Sequence, residues 1–172
     1  MKNLVRITQL ILLILFFLFD SQSFSEMKTL DKGMQVVGWV ENVSIFPGNF
    51  KIKAKLDTGA RHSSLNAADI HEFDRGGEKW VRFSLKNWKG RTENFEAKVL
   101  RMATIKQHDK QSVMRPVIRL GICLGSVYKE VEVNLEDRRK FNYQMLIGRS
   151  FLKKSFLVDA SVTFTLQPSC QE

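Results

Sequence analysis

The most constraining feature of the sequence is a strand pattern that runs directly into an acidic turn. Phe50–Leu56 (FKIKAKL) alternates apolar and basic residues without interruption, which is the pattern of a half-buried β-strand. Asp57-Thr58-Gly59-Ala60 follows at once and is typical of a tight turn. A strand end holds its side chains in a defined place, so we predict that this turn presents the Asp57 carboxylate for chemistry.

Short strands separated by turns recur through the rest of the chain. Phe46-Pro47-Gly48-Asn49 is a strong turn signal between Met34–Ile45 and Phe50–Leu56, and it predicts a hairpin. Further hairpins are predicted around Asn87–Arg91 and around residues 124–126. The remaining predicted elements are a short strand and turn within Ser63–Ile70, a polar loop through Gly76-Gly77, a strand ending at Gly148, one helical turn at Arg149–Lys154, and closing strands at Phe156–Asp159 and Val162–Leu166. The pattern predicts an all-β domain: a closed barrel or sandwich of short antiparallel strands with one short helix near the C-terminus.

The first 25 residues differ from the others in composition. Lys2 and Arg6 precede Leu10–Phe19, an unbroken apolar run, and small residues follow at Ser23 and Ser25. This order predicts a signal peptide over residues 1–25, with an uncleaved N-terminal anchor as the alternative. The protein is then expected in the periplasm or secreted, or attached to the outer face of the inner membrane. The folded domain is expected over 34–166, followed by a tail at 167–172.

Charge and cysteine content narrow the partners only slightly. The net charge is +9, and removal of the leader leaves +8, so acidic partners are favoured, although a solvated basic surface is the simpler interpretation. No nucleic-acid-binding module is recognisable, and a membrane contact is expected only if the leader is retained. Export would place Cys123 and Cys170 in an oxidising compartment, where pairing remains an open alternative.

A longer set of motifs resembles a known family. The string KAKLDTGARHSSLNAADI, with RPVIRL, LEDRRKF, MLIGRSFL and LVDAS downstream, resembles the retropepsin-like aspartic peptidases. It is most similar to the bacterial branch often labelled ATP-dependent zinc proteases. The resemblance covers about Val36 to Phe164 and implies a retropepsin-like fold. It also implies an aspartic endopeptidase that needs no cofactor.

The resemblance implies a homodimer, because retropepsins carry one catalytic Asp in each chain. Asp57 and the Asp57 of a second copy would share one proton and activate water for attack on an extended peptide, for which an acidic character is one possibility. Thr58 would brace the two loops, Gly59 would leave room for substrate, and Ala60 completes the turn.

Several residues are predicted to lie beside the dyad. Arg61, where retroviral enzymes differ, could lower the pKa values of the dyad, bind a substrate carboxylate or pair with a surface acid. His62 is predicted to line the site. A second apolar element ending in glycine, Leu146-Ile147-Gly148, is expected to pack beneath the Asp57 turn. Arg149, which follows it, is also predicted to lie beside the site. The flap that closes over substrate is predicted at Thr104–Arg115, with the Asn87–Arg91 tip as the alternative.

Other chemistries have weaker support. The three histidines, His62, His71 and His108, match no zinc-binding spacing, and no Gly-rich phosphate loop is present, so we predict neither a metal nor ATP. Asp159 is the rival second carboxylate, although a turn cap or an ion pair with an arginine such as Arg149 is the favoured interpretation. Two alternative functions stay open: a non-catalytic dimeric peptide-binding module on the same fold, and a binder of anionic polymers.

Overall fold

The computed structural model describes residues 33–107, 110–137 and 142–171, which form an all-β structure. The predicted leader lies outside the described residues. Within those residues, no helix is long and apolar enough to cross a membrane. The elements in chain order are β1 (Gln35–Gly38), β2 (Val40–Phe46), β3 (Phe50–Leu56), β4 (Ser63–Asn66), β5 (Ala68–Arg75), β6 (Glu78–Lys86), β7 (Thr92–Gln107), β8 (Lys110–Leu124), β9 (Val127–Glu136), β10 (Met145–Ile147), α1 (Arg149–Leu152) and β11 (Phe156–Asp159).

The larger sheet closes on itself into a barrel. Its strands follow the order β2-β3-β10-β4-β9-β8-β7-β6-β5, and β2 also pairs with β8, so that β2, β3, β10, β4, β9 and β8 form a ring. Closure removes the free edges of these strands and gives the barrel a single interior. The prediction of a closed, strand-rich fold with a short helix near the C-terminus is confirmed.

The barrel interior is filled by the apolar residues of the alternating strands. In β3, Phe50, Ile52, Ala54 and Leu56 are buried, while the lysines between them lie toward solvent. Along β8, Ile118, Leu120, Ile122 and Leu124 are also buried. Burial of one face of β3 fixes its register, because a shift of one residue would expose its core side chains.

The strand β10 lies between the two strands that flank the Asp57 turn. It pairs in parallel with β3 and antiparallel with β4, with Leu146 opposite Lys55 on one side and Ser64 on the other. The turn from β3 to β4 therefore passes around the end of β10. This topology places Ile147 and Gly148 directly against the Asp57 turn.

Two predicted elements near the N-terminus are different in the structure. Met34–Ile45 is divided at Trp39, because β1 leaves the barrel and pairs in parallel with β11. The expected polar loop before Gly76 is largely the strand β5, which pairs with β6 and bulges between Ala68 and His71. Polar side chains are compatible with this strand because it lies at a sheet edge with most of its residues exposed.

The prediction of a closing strand at Val162–Leu166 is wrong. Phe164 has a positive φ of 54°, which interrupts an extended ladder. The segment is held instead by backbone bonds to Trp39 and Val40 and by the buried carboxylate of Glu41. Further on, Cys170 forms a disulfide with Cys123, so the pairing left open by the sequence is present.

Candidate functional site

The Asp57 turn is organised by its own backbone. The N–H groups of Gly59 and Ala60 donate to Asp57 Oδ1 at 3.0 and 3.2 Å. The carboxylate is half-buried, and Thr58 and Gly59 are exposed at the end of the turn. One carboxylate oxygen is thus fixed by backbone donors, and no hydrogen bond from the described residues reaches the other oxygen.

The element at Leu146–Gly148 supports this turn from below. The Asp57 N–H donates to the Ile147 carbonyl at 2.8 Å, and the Gly148 N–H donates to Ser63 Oγ at 3.1 Å. A Cβ at Gly148 would lie 2.6 Å from the His62 carbonyl oxygen, closer than real contacts allow. Glycine is therefore required here by the close approach of two chain segments.

The first residues of α1 complete the support. Arg149 N–H donates to the Ala60 carbonyl, and Ser150 N–H donates to the Arg61 carbonyl, both at 2.9 Å. The Arg149 guanidinium also donates to the carbonyls of Thr58 and Gly59, both at 2.8 Å. Each carbonyl from Thr58 to Arg61 thus has a donor from α1, which fixes the path of the turn behind Asp57.

His62 lines a cavity on the outer surface of the barrel. The first β4–β9 pair joins Ser63 to Val133, so His62 follows the same line toward Glu132. The cavity measures about 300 Å³ and is named the His62 pocket; its walls consist of His62, Arg101, Met102, Ala103, Thr104, Ile105, Val117, Glu132 and Asn134. His62 therefore faces β7 and β9 at the side of the Asp57 turn.

The His62 pocket contains one ion pair. Arg101 Nη2 lies 2.6 Å from Glu132 Oε2, and this hydrogen bond holds the pKa of Glu132 below its usual value against the opposing effect of burial. Electrostatic interactions with His62 and Arg119 lower the pKa of Glu132 as well. Glu132 therefore stays ionised at neutral pH and offsets the charge of Arg101.

The other predicted residues are placed as follows. The Arg61 side chain is exposed, and its interaction with the dyad stays a prediction. Asp159 Oδ1 accepts hydrogen bonds from Ser161 N and Oγ at 2.8 and 2.6 Å, so Asp159 caps a turn as favoured. His108 lies outside the described residues. Within the part of the chain that is described, no three His, Cys, Asp or Glu side chains converge in a way that could hold a metal ion.

The sequence did not indicate Arg101, Glu132 or Asn134 as members of the site. Alternation along β9 places Glu132 and Asn134 on the outer face of the barrel, and that signal was available. Their approach to His62 depends on the parallel pairing of β4 with β9, which no local pattern specifies.

The flap predicted at Thr104–Arg115 is described except for its tip. Residues 108 and 109 lie outside the described residues, although β7 and β8 stay paired as far as Gln107 and Lys110. Thr104 and Ile105, at the base of this hairpin, line the His62 pocket. The alternative tip at Asn87–Arg91 places Trp88 beside Lys53 on β3. The choice between them stays a prediction.

A closed barrel with an Asp-Thr-Gly turn supported by an inserted strand and a following helical turn defines the retropepsin-like class of proteins. A family model described as "Retropepsin-like aspartic endopeptidase RimB" matches residues 36–169. The chain belongs to this RimB-like family.

A solved structure supports the same assignment. The crystal structure of a Legionella pneumophila protein with unknown function is 33% identical and superposes with a TM-score of 0.66. The match covers 77% of this chain and 98% of the Legionella chain. The two molecules therefore share the fold over nearly the whole Legionella protein.

Curated relatives carry a different name. Proteins named "Probable alpha-L-glutamate ligase" from Shewanella pealeana and Desulfotalea psychrophila are 41% and 30% identical over 118 residues. These matches cover 67% of this chain, but 26% and 25% of the relatives. The chain thus spans about a quarter of the length of these relatives.

Proposed function

We propose that the protein is an aspartic endopeptidase whose active site forms when two copies bring their Asp57 turns together. The observation that carries this proposal is the Asp57 turn itself: one carboxylate oxygen is held by backbone N–H groups, and the turn is supported by β10 and α1. Such preorganisation suits a group that must keep its position while it exchanges protons.

The reaction needs a second carboxylate. In the proposed dimer, Asp57 and the Asp57 of the second copy share one proton, because two carboxylates in contact do not both ionise readily. The ionised member takes a proton from water, and the protonated member donates to the carbonyl oxygen of the substrate. The exposure of Thr58 and Gly59 supports this arrangement, since the turn end is accessible to a symmetry-related copy.

We propose that the substrate is an extended peptide of acidic character, bound as a strand beneath the β7–β8 hairpin. The basic domain supports this, because a net positive surface attracts polyanionic chains. The names of the curated relatives also support it, since a glutamate ligase acts on acidic material. The ligase activity belongs to proteins of which the match covers about a quarter, and it is not proposed for this chain.

We also propose export. The leader pattern predicts it, and the Cys123–Cys170 disulfide fits an oxidising compartment such as the periplasm. Fractionation of cells that express the full chain, followed by mass determination of the protein, would locate the chain and show whether the leader is cleaved. Recovery in the cytoplasm with free thiols would contradict the proposal.

The decisive experiment is digestion of a mixed peptide library by the domain across pH. Asp57→Asn should reduce kcat at least about a thousandfold, because the amide cannot serve as the base, while the dimer persists. Asp74→Asn, on the exposed strand β5, is the matched control and should keep full activity. Unchanged cleavage by the Asp57 variant would refute the dyad, and peptide binding by the wild type without turnover at any pH would identify a binding module instead.

A further inference from the structure

Lys55 lies two residues before Asp57, on the same face of the chain. The ladder between β3 and β10 continues as far as Asp57, whose N–H donates to the Ile147 carbonyl at 2.8 Å. Successive side chains of a strand point to opposite faces, and Leu56, between the two, is buried. Lys55 is exposed and Asp57 is half-buried. The two side chains are therefore neighbours on one accessible surface, with Cα atoms about 7 Å apart.

Leu146 lies beside Lys55 on the neighbouring strand. The parallel register of β10 with β3 places these two residues directly opposite each other. Met145 and Ile147 are buried, whereas Leu146 between them is only half-buried, so its side chain is on the same outer face as that of Lys55. The surface next to the Asp57 carboxylate thus combines an apolar side chain with an ammonium group.

The Lys55 ammonium forms no ion pair with a carboxylate of the described residues, Asp57 included. Two other cations near the site are engaged, because Arg101 is paired with Glu132 and the Arg149 guanidinium donates to backbone carbonyls. The positive charge of Lys55 is therefore available to a substrate. A bound peptide would exclude water from this surface and strengthen the attraction.

We propose that Lys55 is a specificity-determining residue, which binds a carboxylate side chain of the peptide next to the cleaved bond. The carboxylate accepts a hydrogen bond from the Lys55 ammonium, and the methylene groups of the substrate side chain pack against Leu146. This inference rests on the proposed peptidase function, and it assigns the preference for acidic substrate to one residue and one position. In the proposed dimer each copy supplies a Lys55, so the preference is expected on both sides of the cleaved bond.

The test compares peptides that differ only in the residue on one side of a cleaved bond. That residue is Glu, Gln or Lys, and kcat/KM is measured for each peptide. The wild type should favour Glu over Gln by about tenfold, with Lys the poorest. Lys55→Gln should reduce the ratio of Glu to Gln to near one, and Lys55→Glu should make Lys the best residue. A ratio of two peptides on one enzyme cancels any effect of the substitution on the dyad itself.

Lys51→Gln is the matched control. Lys51 is also exposed on the outer face of β3, but it lies farther from Asp57. This variant should keep the wild-type ratio of Glu to Gln. An equal fall of the ratio in Lys51→Gln and Lys55→Gln would show that the net charge of the domain sets the preference, and it would overturn the proposal.

The assignment of Lys55 and the peptidase function fail in different ways. If peptides are cleaved without a preference for Glu, or if Lys55→Gln keeps that preference, the assignment is wrong and the peptidase function stands. If no peptide is cleaved, the proposed function fails, and peptides with a central Glu or Gln are titrated into the wild type and Lys55→Gln. Binding of the Glu peptide that is about tenfold tighter, and only in the wild type, would retain Lys55 as a carboxylate-binding residue. Equal affinities would overturn the assignment as well.

Discussion

Two carboxylates of this molecule occupy opposite environments. Glu41 is fully buried and accepts hydrogen bonds from Gly38 N, from Thr165 N and Oγ1, and from Leu166 N. Asp57 is half-buried at the end of a turn and accepts from Gly59 N and Ala60 N through a single oxygen. Both side chains accept backbone hydrogen bonds, yet only Asp57 keeps an oxygen that no described residue engages.

The difference separates a structural acid from an acid that is available for chemistry. Glu41 joins the end of β1 to the segment Val162–Leu166, and both of its carboxylate oxygens accept hydrogen bonds. Asp57 receives enough hydrogen bonds to fix its position and keeps one face for a partner. If this is correct, changes at Glu41 reduce stability, and changes at Asp57 reduce turnover alone.

A large loss of stability is expected for Glu41→Gln. The amide replaces one acceptor oxygen with a donor, so at least one buried N–H loses its partner, at a cost of roughly 2–3 kcal/mol in the free energy of unfolding. Chemical denaturation would measure this loss. Glu72→Gln, on the exposed strand β5, is the control and should change the unfolding free energy by less than about 0.5 kcal/mol.

Asp57→Asn completes this test. Its unfolding midpoint should stay close to that of the wild type while its activity is lost. A large loss of stability in Asp57→Asn, or none in Glu41→Gln, would break the distinction between the two acids.

The Cys123–Cys170 disulfide joins the C-terminal segment after Leu166 to strand β8 of the barrel. Cys170→Ser should lower the free energy of unfolding by about 2–4 kcal/mol, since the bond closes a long loop. A thermal melt with and without reductant measures the effect. Reductant should lower the Tm of the wild type and leave that of Cys170→Ser unchanged, because the bond is already absent there. An equal shift in both proteins would show that the reductant acts elsewhere.

Local patterns of the sequence predicted the strands and turns around Asp57 well. Phe50–Leu56 buries the residues that its alternation indicated, and the hairpins at Pro47–Asn49 and Gly125-Ser126 are confirmed. These features depend on contacts between neighbours in the chain, which composition and turn chemistry report directly.

Features that depend on distant pairing were not predictable in the same way. The segment Val162–Leu166 has the composition of a strand. Its backbone groups instead form hydrogen bonds with Trp39 and with the Glu41 carboxylate, so they do not form a strand ladder. The His62 pocket requires β4 beside β9, a parallel pairing of segments far apart in the chain. Periodicity reports which face of a strand is buried, and it does not report which strand lies beside it.

Arg149 tests the support of the Asp57 turn itself. Arg149→Ala removes the guanidinium from the carbonyls of Thr58 and Gly59, and we expect kcat to fall by about tenfold because the turn is less well positioned. Stability should change little, since this side chain lies at an exposed site. Arg149→Lys should be intermediate, because an ammonium is less suited to both carbonyls than the planar guanidinium. Arg75→Ala, on the exposed strand β5, is the control and should keep the wild-type kcat.

The smallest effect is expected at Asp159, a third carboxylate with a purely local role. Hydrogen bonds from Ser161 Oγ and N hold the pKa of Asp159 below its ordinary value. A lowered pKa in the folded state gives stabilisation that is complete above the unfolded value, near 3.8, and is lost as the pH falls through the folded value. The Tm difference between wild type and Asp159→Asn should thus be small at pH 7 and disappear in more acidic solution. A difference that grows as the pH falls would have the wrong sign for a turn cap, and a loss of turnover at neutral pH would make Asp159 the rival second acid of the site after all.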